Sequence, residues 1–228
     1  MKLPNNYKYL LYIKTAKTGG TSFVDFLEKI SKPKYFKRVN GKRVLDEISE
    51  GDIIILYDDN VSIFKKKYNY IFNNSYKILI SRNPYDKIIS CYNYHPFSKD
   101  KLLIDLLENK EYIKYDSSKV DFKLHIEKKL WNYYSFFSHF YLLQTNDLIE
   151  NNKLLIDKVI TFENLNNEIY DLFKVLDINT NNIELKHLNK TIEKKQISLS
   201  NKEVELINKR FYNDFKYLDY EFKILDQQ

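Results

Sequence analysis

The sequence predicts an α/β fold of three layers, a mostly parallel central sheet flanked by helices. Three observations carry that expectation. Short continuous runs of β-branched and apolar residues recur along the chain, as in strands covered on both faces. Two of these runs pass through a loop into a segment with helical apolar spacing, and the alternation βαβ…βα favours parallel pairing. Taken in order, Tyr9 to Ile13 is an apolar, aromatic-rich strand that stops before a glycine pair, and Thr21 to Ile30 is a helix with Phe23, Phe26, Leu27 and Ile30 on one face. DIIILY (Asp52 to Tyr57) and YKILIS (Tyr76 to Ser81) read as central strands. Pro84 suits the first turn of a helix whose apolar face is Tyr85, Ile88, Ile89 and Tyr92. Lys99 to Leu107, Lys123 to Leu143 and Asn164 to Leu176 read as further helices, Lys158 to Phe162 as a short strand, and NTNN (Asn179 to Asn182) as a surface turn.

At 228 residues, 43% hydrophobic and 16% aromatic, the chain can bury a sizeable core, and its length favours one domain over residues 1–228. No apolar stretch approaches the roughly 18 residues a spanning helix needs, so no membrane span is expected. The opening MKLPNNYKYLLYIKT carries too short an apolar run for a secretory signal. The single cysteine, Cys91, excludes an internal disulfide and a cysteine-based metal cluster, and a cytoplasmic location is expected. A formal charge of +6 suits an anionic partner. Lysine and glutamate are mixed along the chain rather than gathered into a basic tail, so phosphate-rich ligands fit the charge as well as nucleic acid does, and no nucleic-acid partner is expected.

The segment with most chemistry is AKTGGTSF, Ala16 to Phe23, where the first strand turns into the first helix. Gly19 and Gly20 let backbone amides approach an anion, and the helix beginning near Thr21 aims its N–H groups and positive dipole end at the same point. Thr18, Thr21 and Ser22 add hydroxyls, and Lys17 adds a charge suited to a leaving phosphate oxygen. The lysine precedes the glycines, so the loop is not the G-x-x-x-x-G-K-[ST] of kinases and ATPases. The same letters also suit a plain strand-to-helix turn with a hydroxyl N-cap.

Residues YIKTAKTGGTSF (Tyr12 to Phe23) resemble the 5′-phosphosulfate loop of carbohydrate sulfotransferases, close to I-P-K-T-G-G-T-S, with Ala16 in place of the proline. The resemblance implies a P-loop-like sulfotransferase fold and an enzyme that moves a sulfonate group from 3′-phosphoadenosine 5′-phosphosulfate (PAPS) to an acceptor hydroxyl, of a carbohydrate or a small molecule. It implies that Lys17 meets the bridging oxygen as the sulfonate leaves, while Thr18, Gly19, Gly20, Thr21 and Ser22 wrap the 5′-phosphate. A second family element, R-x-P with a serine eight residues after the arginine, is matched by Arg82, Pro84 and Ser90, which implies a 3′-phosphate anchor. Arginine offers a planar fork for phosphate, although an arginine at a strand end can equally pair with Asp86. HLNKTIEKK (His187 to Lys195) is similar to a segment of heparan sulfate 2-O-sulfotransferases that closes over the nucleotide, making Lys190 and Thr191 the leading candidates there, with Asn189, Lys195 and Ser198 behind them. HFYLLQ, FENL and the closing FYNDFKYLDYEF also resemble the family, and their aromatic and leucine spacing reads as core.

The departure lies in the general base. Where 2-O-sulfotransferases resemble Y-H-G-H-V, this chain has Tyr57-Asp58-Asp59-Asn60-Val61, so both histidines are replaced. Asp58 becomes the candidate base, with His95 second, since burial raises a carboxylate's pKa toward useful values; Asp-Asp-Asn is also an ordinary turn. Sulfonate transfer needs no metal where side chains neutralise the leaving group, and His125 and His187 lack the spacing of a ligand pair. The replaced histidines also suit a different reading, a non-catalytic nucleotide- or glycan-binding protein derived from a sulfotransferase.

Overall fold

The computed structural model describes residues 1–39, 42–57, 60–94, 102–108, 139–180, 183–186 and 197–224. The described residues gather in two compact units, Met1–Arg82 with Asn146–Lys190 and Asn83–Thr145 with Thr191–Gln228. Both are α-helical in part, and the first holds the sheet. Among the described residues, no helix is long and apolar enough to cross a membrane.

The first unit is a mixed α/β structure with a mostly parallel sheet flanked by helices. Its strands are β1 (Tyr9–Lys14), β2 (Lys34–Val39), β3 (Lys42–Leu45), β4 (Ile53–Tyr57), β5 (Ser75–Ser81) and, after the two-residue strands β6 (Ile149–Glu150) and β7 (Lys153–Leu154), β8 (Lys158–Thr161). They lie in the order β3-β2-β4-β1-β5-β8. Within this six-stranded sheet the described pairs are parallel except β2 with β3, and β6 pairs antiparallel with β7 apart from it. Leu10 to Ile13, Ile53 to Leu56 and Ile78 to Ile80 are buried on both faces, which is why these strands read as unbroken apolar runs.

The helices sit where right-handed crossovers require them. From β1 the chain passes through α1 (Gly20–Ile30) to β2, stepping over β4; from β4 it passes through α2 (Val61–Lys67) and α3 (Asn69–Asn73) to β5, stepping over β1 in the other direction. Opposite steps of one hand need opposite faces. On one face Phe23, Phe26 and Leu27 of α1 pack with Leu10, Tyr12, Ile53, Ile55, Ile78 and Ile80, joined by Ile169 and Phe173 of α6 (Leu165–Val175). On the other, Phe64 of α2 meets Phe36 with ring centroids 5.2 Å apart, and Lys77 reaches Phe72 of α3. The reversal of direction makes β1 the switch point of the sheet, and open α/β sheets bind ligands beyond the carboxyl ends of their strands at that point.

The second unit is helical: α4 (Pro84–Tyr94), α5 (Leu103–Glu108), α7 (Asn201–Arg210) and α8 (Tyr212–Leu218) close over Tyr85, Ile88, Cys91, Leu106, Phe140 and Phe211. Pro84 opens α4 as expected, and Asn83 Oδ1 accepts the Tyr85 N–H at 3.0 Å as its cap. The buried Asp214 carboxylate accepts the backbone N–H groups of Gln144 and Thr145, both at 2.9 Å, which ties the HFYLLQ segment to the C-terminal helices. Of the expected helix over Lys99 to Leu107 the described part is α5, and most of Lys123 to Leu143 lies outside the described residues.

Candidate functional site

The loop between β1 and α1 has the backbone of an anion cradle. Lys17 has φ +64° and Gly19 φ +83°, and neither Ala16 nor Thr18 has a positive φ, so the sign alternates across four consecutive residues. Alternation of this kind turns successive N–H groups toward one point, forming a concavity that binds phosphate and similar anions. For lysine the left-handed conformation costs about 1–2 kcal/mol relative to the right-handed one. Residues held in unfavourable backbone conformations cluster at functional sites, and this one follows the central strand β1 at its carboxyl end.

The surroundings explain how that loop is held. Thr15 Oγ1 donates to the Ile80 carbonyl at 3.0 Å, which fixes the loop to β5, and lies 2.9 Å from Thr18 Oγ1. Thr18 Oγ1 in turn donates to the Thr15 carbonyl at 3.1 Å, and both threonines are buried. The Thr18 hydroxyl is therefore engaged within the loop, through Thr15. Gly19 is required twice over: its φ is left-handed, and a Cβ there would lie 2.8 Å from Cδ2 and Cε2 of Phe162. At Gly20 a Cβ would lie 2.8 Å from Lys14 Cγ and from Tyr12 Oη, so the Lys14 stem lies against the start of the helix, and its ammonium stands 4.9 Å from the centre of the Tyr57 ring.

The N-cap of α1 is Gly19, which supplies no side-chain cap, so the plain hydroxyl-capped turn is not what the loop forms. The first turn carries Thr21, exposed, and Ser22, buried. The helix dipole adds a partial positive charge at the cradle.

Arg82 follows the last residue of β5 and brings the second expected anchor to the first. Its Nη1 donates to the Lys17 carbonyl at 3.2 Å, and its Cζ lies 4.5 Å from the centre of the Phe162 ring. Lys17, Gly19 and Arg82 thus form one constellation at the carboxyl ends of β1 and β5. Ser90 is half-buried on α4 in the second unit. Asp58, Asp59, His95, His125, His187, Asn189, Lys190, Thr191 and Lys195 lie outside the described residues; Ser198 is described and exposed. Sequence reasoning missed three residues that shape the cradle: Thr15, Lys14 and Phe162, the last read as core.

A basic hairpin stands beside the cradle. Residues 32–43 contain Lys32, Lys34, Lys37, Arg38, Lys42 and Arg43 and no acid. The register sets Lys34 and Leu11 both opposite Ile54, so Lys37 is level with Lys14, and β2 continues for two more residues. Only β4 separates β2 from β1, a distance of about 10 Å at ordinary strand spacing. Edge protection explains lysine on β3; β2 pairs with β4 at Lys34 and Tyr35 and with β3 from Phe36 to Val39. Asp46 answers part of the charge: its carboxylate pairs with Lys37 at 2.7 Å and accepts the Tyr35 N–H at 3.0 Å, and the Lys37 bond holds its pKa below the ordinary value.

No protein-family model and no curated protein matches the chain.

Proposed function

We propose that the chain is a PAPS-dependent sulfotransferase of P-loop-like fold, acting on a carbohydrate hydroxyl. The observation that carries this reading is the alternating backbone at Ala16 to Gly19, joined through the Lys17 carbonyl to Arg82. A donor with phosphates at its 5′ and 3′ positions needs two separated anion sites of fixed spacing, and a cradle tied to an arginine on the next strand suits that need. A cradle that ends in a helix N-terminus favours the dianionic 5′-phosphate, and a planar arginine fork favours the 3′-phosphate. The basic hairpin supports an acceptor that itself bears negative charge, such as a uronic-acid glycan.

In the proposed step an acceptor hydroxyl oxygen attacks the sulfur of PAPS in line. The new O–S bond forms as the bond from sulfur to the bridging phosphate oxygen breaks, and the electron pair leaves with 3′-phosphoadenosine 5′-phosphate (PAP). Lys17 stabilises the charge on that oxygen, and the cradle N–H groups hold the phosphate still. The acceptor proton passes to a base, for which Asp58 is the proposed residue. Side chains carry the charge in this scheme, with no metal.

Incubating the full chain with PAPS labelled in its sulfonate group and a panel of uronic-acid glycans tests the reading. Label should appear in a glycan with wild-type protein and fall about 10²- to 10³-fold with Lys17→Ala, while PAP binding survives. The replaced histidines of Tyr57 to Val61 favour a second reading, a binding protein that retained the loops without the base. That reading predicts PAP binding with no transfer to any acceptor.

A further inference from the structure

We infer that Phe162 is a positioning residue that sets Arg82 for anion binding, an inference that rests on the donor-site reading above. Phe162 directly follows β8 and opens the short 3-10 turn Phe162–Asn164 that leads into α6. A phenylalanine at such a place is ordinarily core, and part of its ring does pack on the main cluster of the first unit. Two further contacts set it apart. Its edge carbons occupy the space where a Cβ on Gly19 would lie, 2.8 Å away, and its ring lies 4.5 Å from Arg82 Cζ. Loops leaving three adjacent parallel strands, β1, β5 and β8, therefore meet on one aromatic ring.

The physical effect is on a long, flexible cation. An aromatic face attracts a guanidinium through its quadrupole, so it restricts where the arginine sits. Arg82 Nη1 then reaches the Lys17 carbonyl, so the ring steadies the arginine and the arginine steadies the cradle. Orientation fixed before binding is freedom that the ligand need not remove. An aliphatic side chain of similar bulk would keep the floor under Gly19 and lose the face under Arg82, which makes the two roles separable.

The test compares Phe162→Leu with Phe162→Tyr in the full chain, using PAP and AMP as calorimetric probes. Phe162→Leu should bind PAP about tenfold more weakly, with AMP affinity changed less than about threefold, while Phe162→Tyr behaves as wild type. In an Arg82→Ala background Phe162→Leu should have no further effect. Amide hydrogen exchange in the ligand-free protein supplies a second readout: exchange across Lys17 to Gly20 should quicken in Phe162→Leu and in Arg82→Ala, and stay unchanged in Phe162→Tyr. Phe162→Met serves if the leucine variant does not fold. Unchanged PAP affinity and exchange in Phe162→Leu, or a loss that adds in full to that of Arg82→Ala, overturns the inference. If the wild type does not distinguish PAP from AMP, the donor reading fails, and the exchange comparison alone decides for or against the positioning role.

Discussion

The two ends of the parallel strands use the same residue types in opposite ways. Where the strands begin, Lys77 is almost fully buried, and its ammonium is held by the Ser75 carbonyl at 2.7 Å and by Asp157 Oδ2 at 3.1 Å. Asp157 also accepts the Lys77 N–H at 2.8 Å and the Tyr7 hydroxyl at 2.7 Å. The bond to Asp157, helped by burial, pushes the Tyr7 hydroxyl up to about 12. Charge meets charge, and the cluster is structural. Where the strands end, Lys17 occupies an unfavourable backbone conformation, and Arg82 meets a carbonyl oxygen and a ring face. Those contacts orient Arg82 at the cradle. A lysine matched to a carboxylate stabilises the fold, whereas cations arranged around a strained cradle are suited to a ligand.

Five substitutions sharpen that contrast, and the largest effect is expected at the cradle. Lys17→Ala should lower sulfonate transfer about 10²- to 10³-fold, measured as turnover of labelled PAPS, because the leaving oxygen loses its stabilising charge. At the opposite end, Asp157→Ala should destabilise the fold by about 3 kcal/mol in chemical denaturation, since Lys77 is left buried without its carboxylate, and PAP affinity should not change. An effect of Asp157→Ala on PAP binding would break the division between the two ends.

Next in size, Gly19→Ala should cost about 2 kcal/mol of stability, from a left-handed φ and overlap with Phe162, and should abolish PAP binding. Lys17→Gly makes a sharper test of strain. Glycine adopts the left-handed conformation freely, so the variant should gain about 1 kcal/mol of stability while losing transfer.

The smallest effect concerns pH. The folded Tyr7 hydroxyl titrates above its unfolded value of 10.0, at about 12, so its contribution is complete below pH 10 and is lost as pH rises toward 12. Tyr7→Phe should remove that part of the alkaline loss, read as the difference between variant and wild-type denaturation across pH 9 to 12.

The sequence pattern revealed the part of the fold that is buried on both faces and concealed the part that is not. β1, β4, β5 and β8 are apolar runs within a residue or so of their expected bounds, and α1, α4 and α6 carry clear apolar faces. β2 and β3 escaped notice because, among their described side chains, Phe36 alone is buried in a series of cations, although Asn40-Gly41 between them is a hairpin signal in its own right. α2 buries only Val61 and Phe64 and ends in three lysines. α7 was missed despite a legible start, the capping box formed by Ser200 and Glu203.

The site divides in a similar way. The glycine pair, Lys17 and Arg82 stand out by residue type and position. The left-handed conformation of Lys17 has no mark in its side chain, and the turn of the Thr18 hydroxyl toward Thr15 depends on a residue outside the expected motif. Phe162 resembles any core phenylalanine until the arginine and glycine that touch it are known.

Calorimetric titration of the wild-type chain with PAP, AMP and ATP, repeated with Arg82→Ala, tests the proposed donor site most directly. Tight binding of PAP in preference to the other two is expected, with the preference lost when Arg82 is removed. Equal affinity for PAP and AMP in the wild type, or a preference that survives Arg82→Ala, would contradict it.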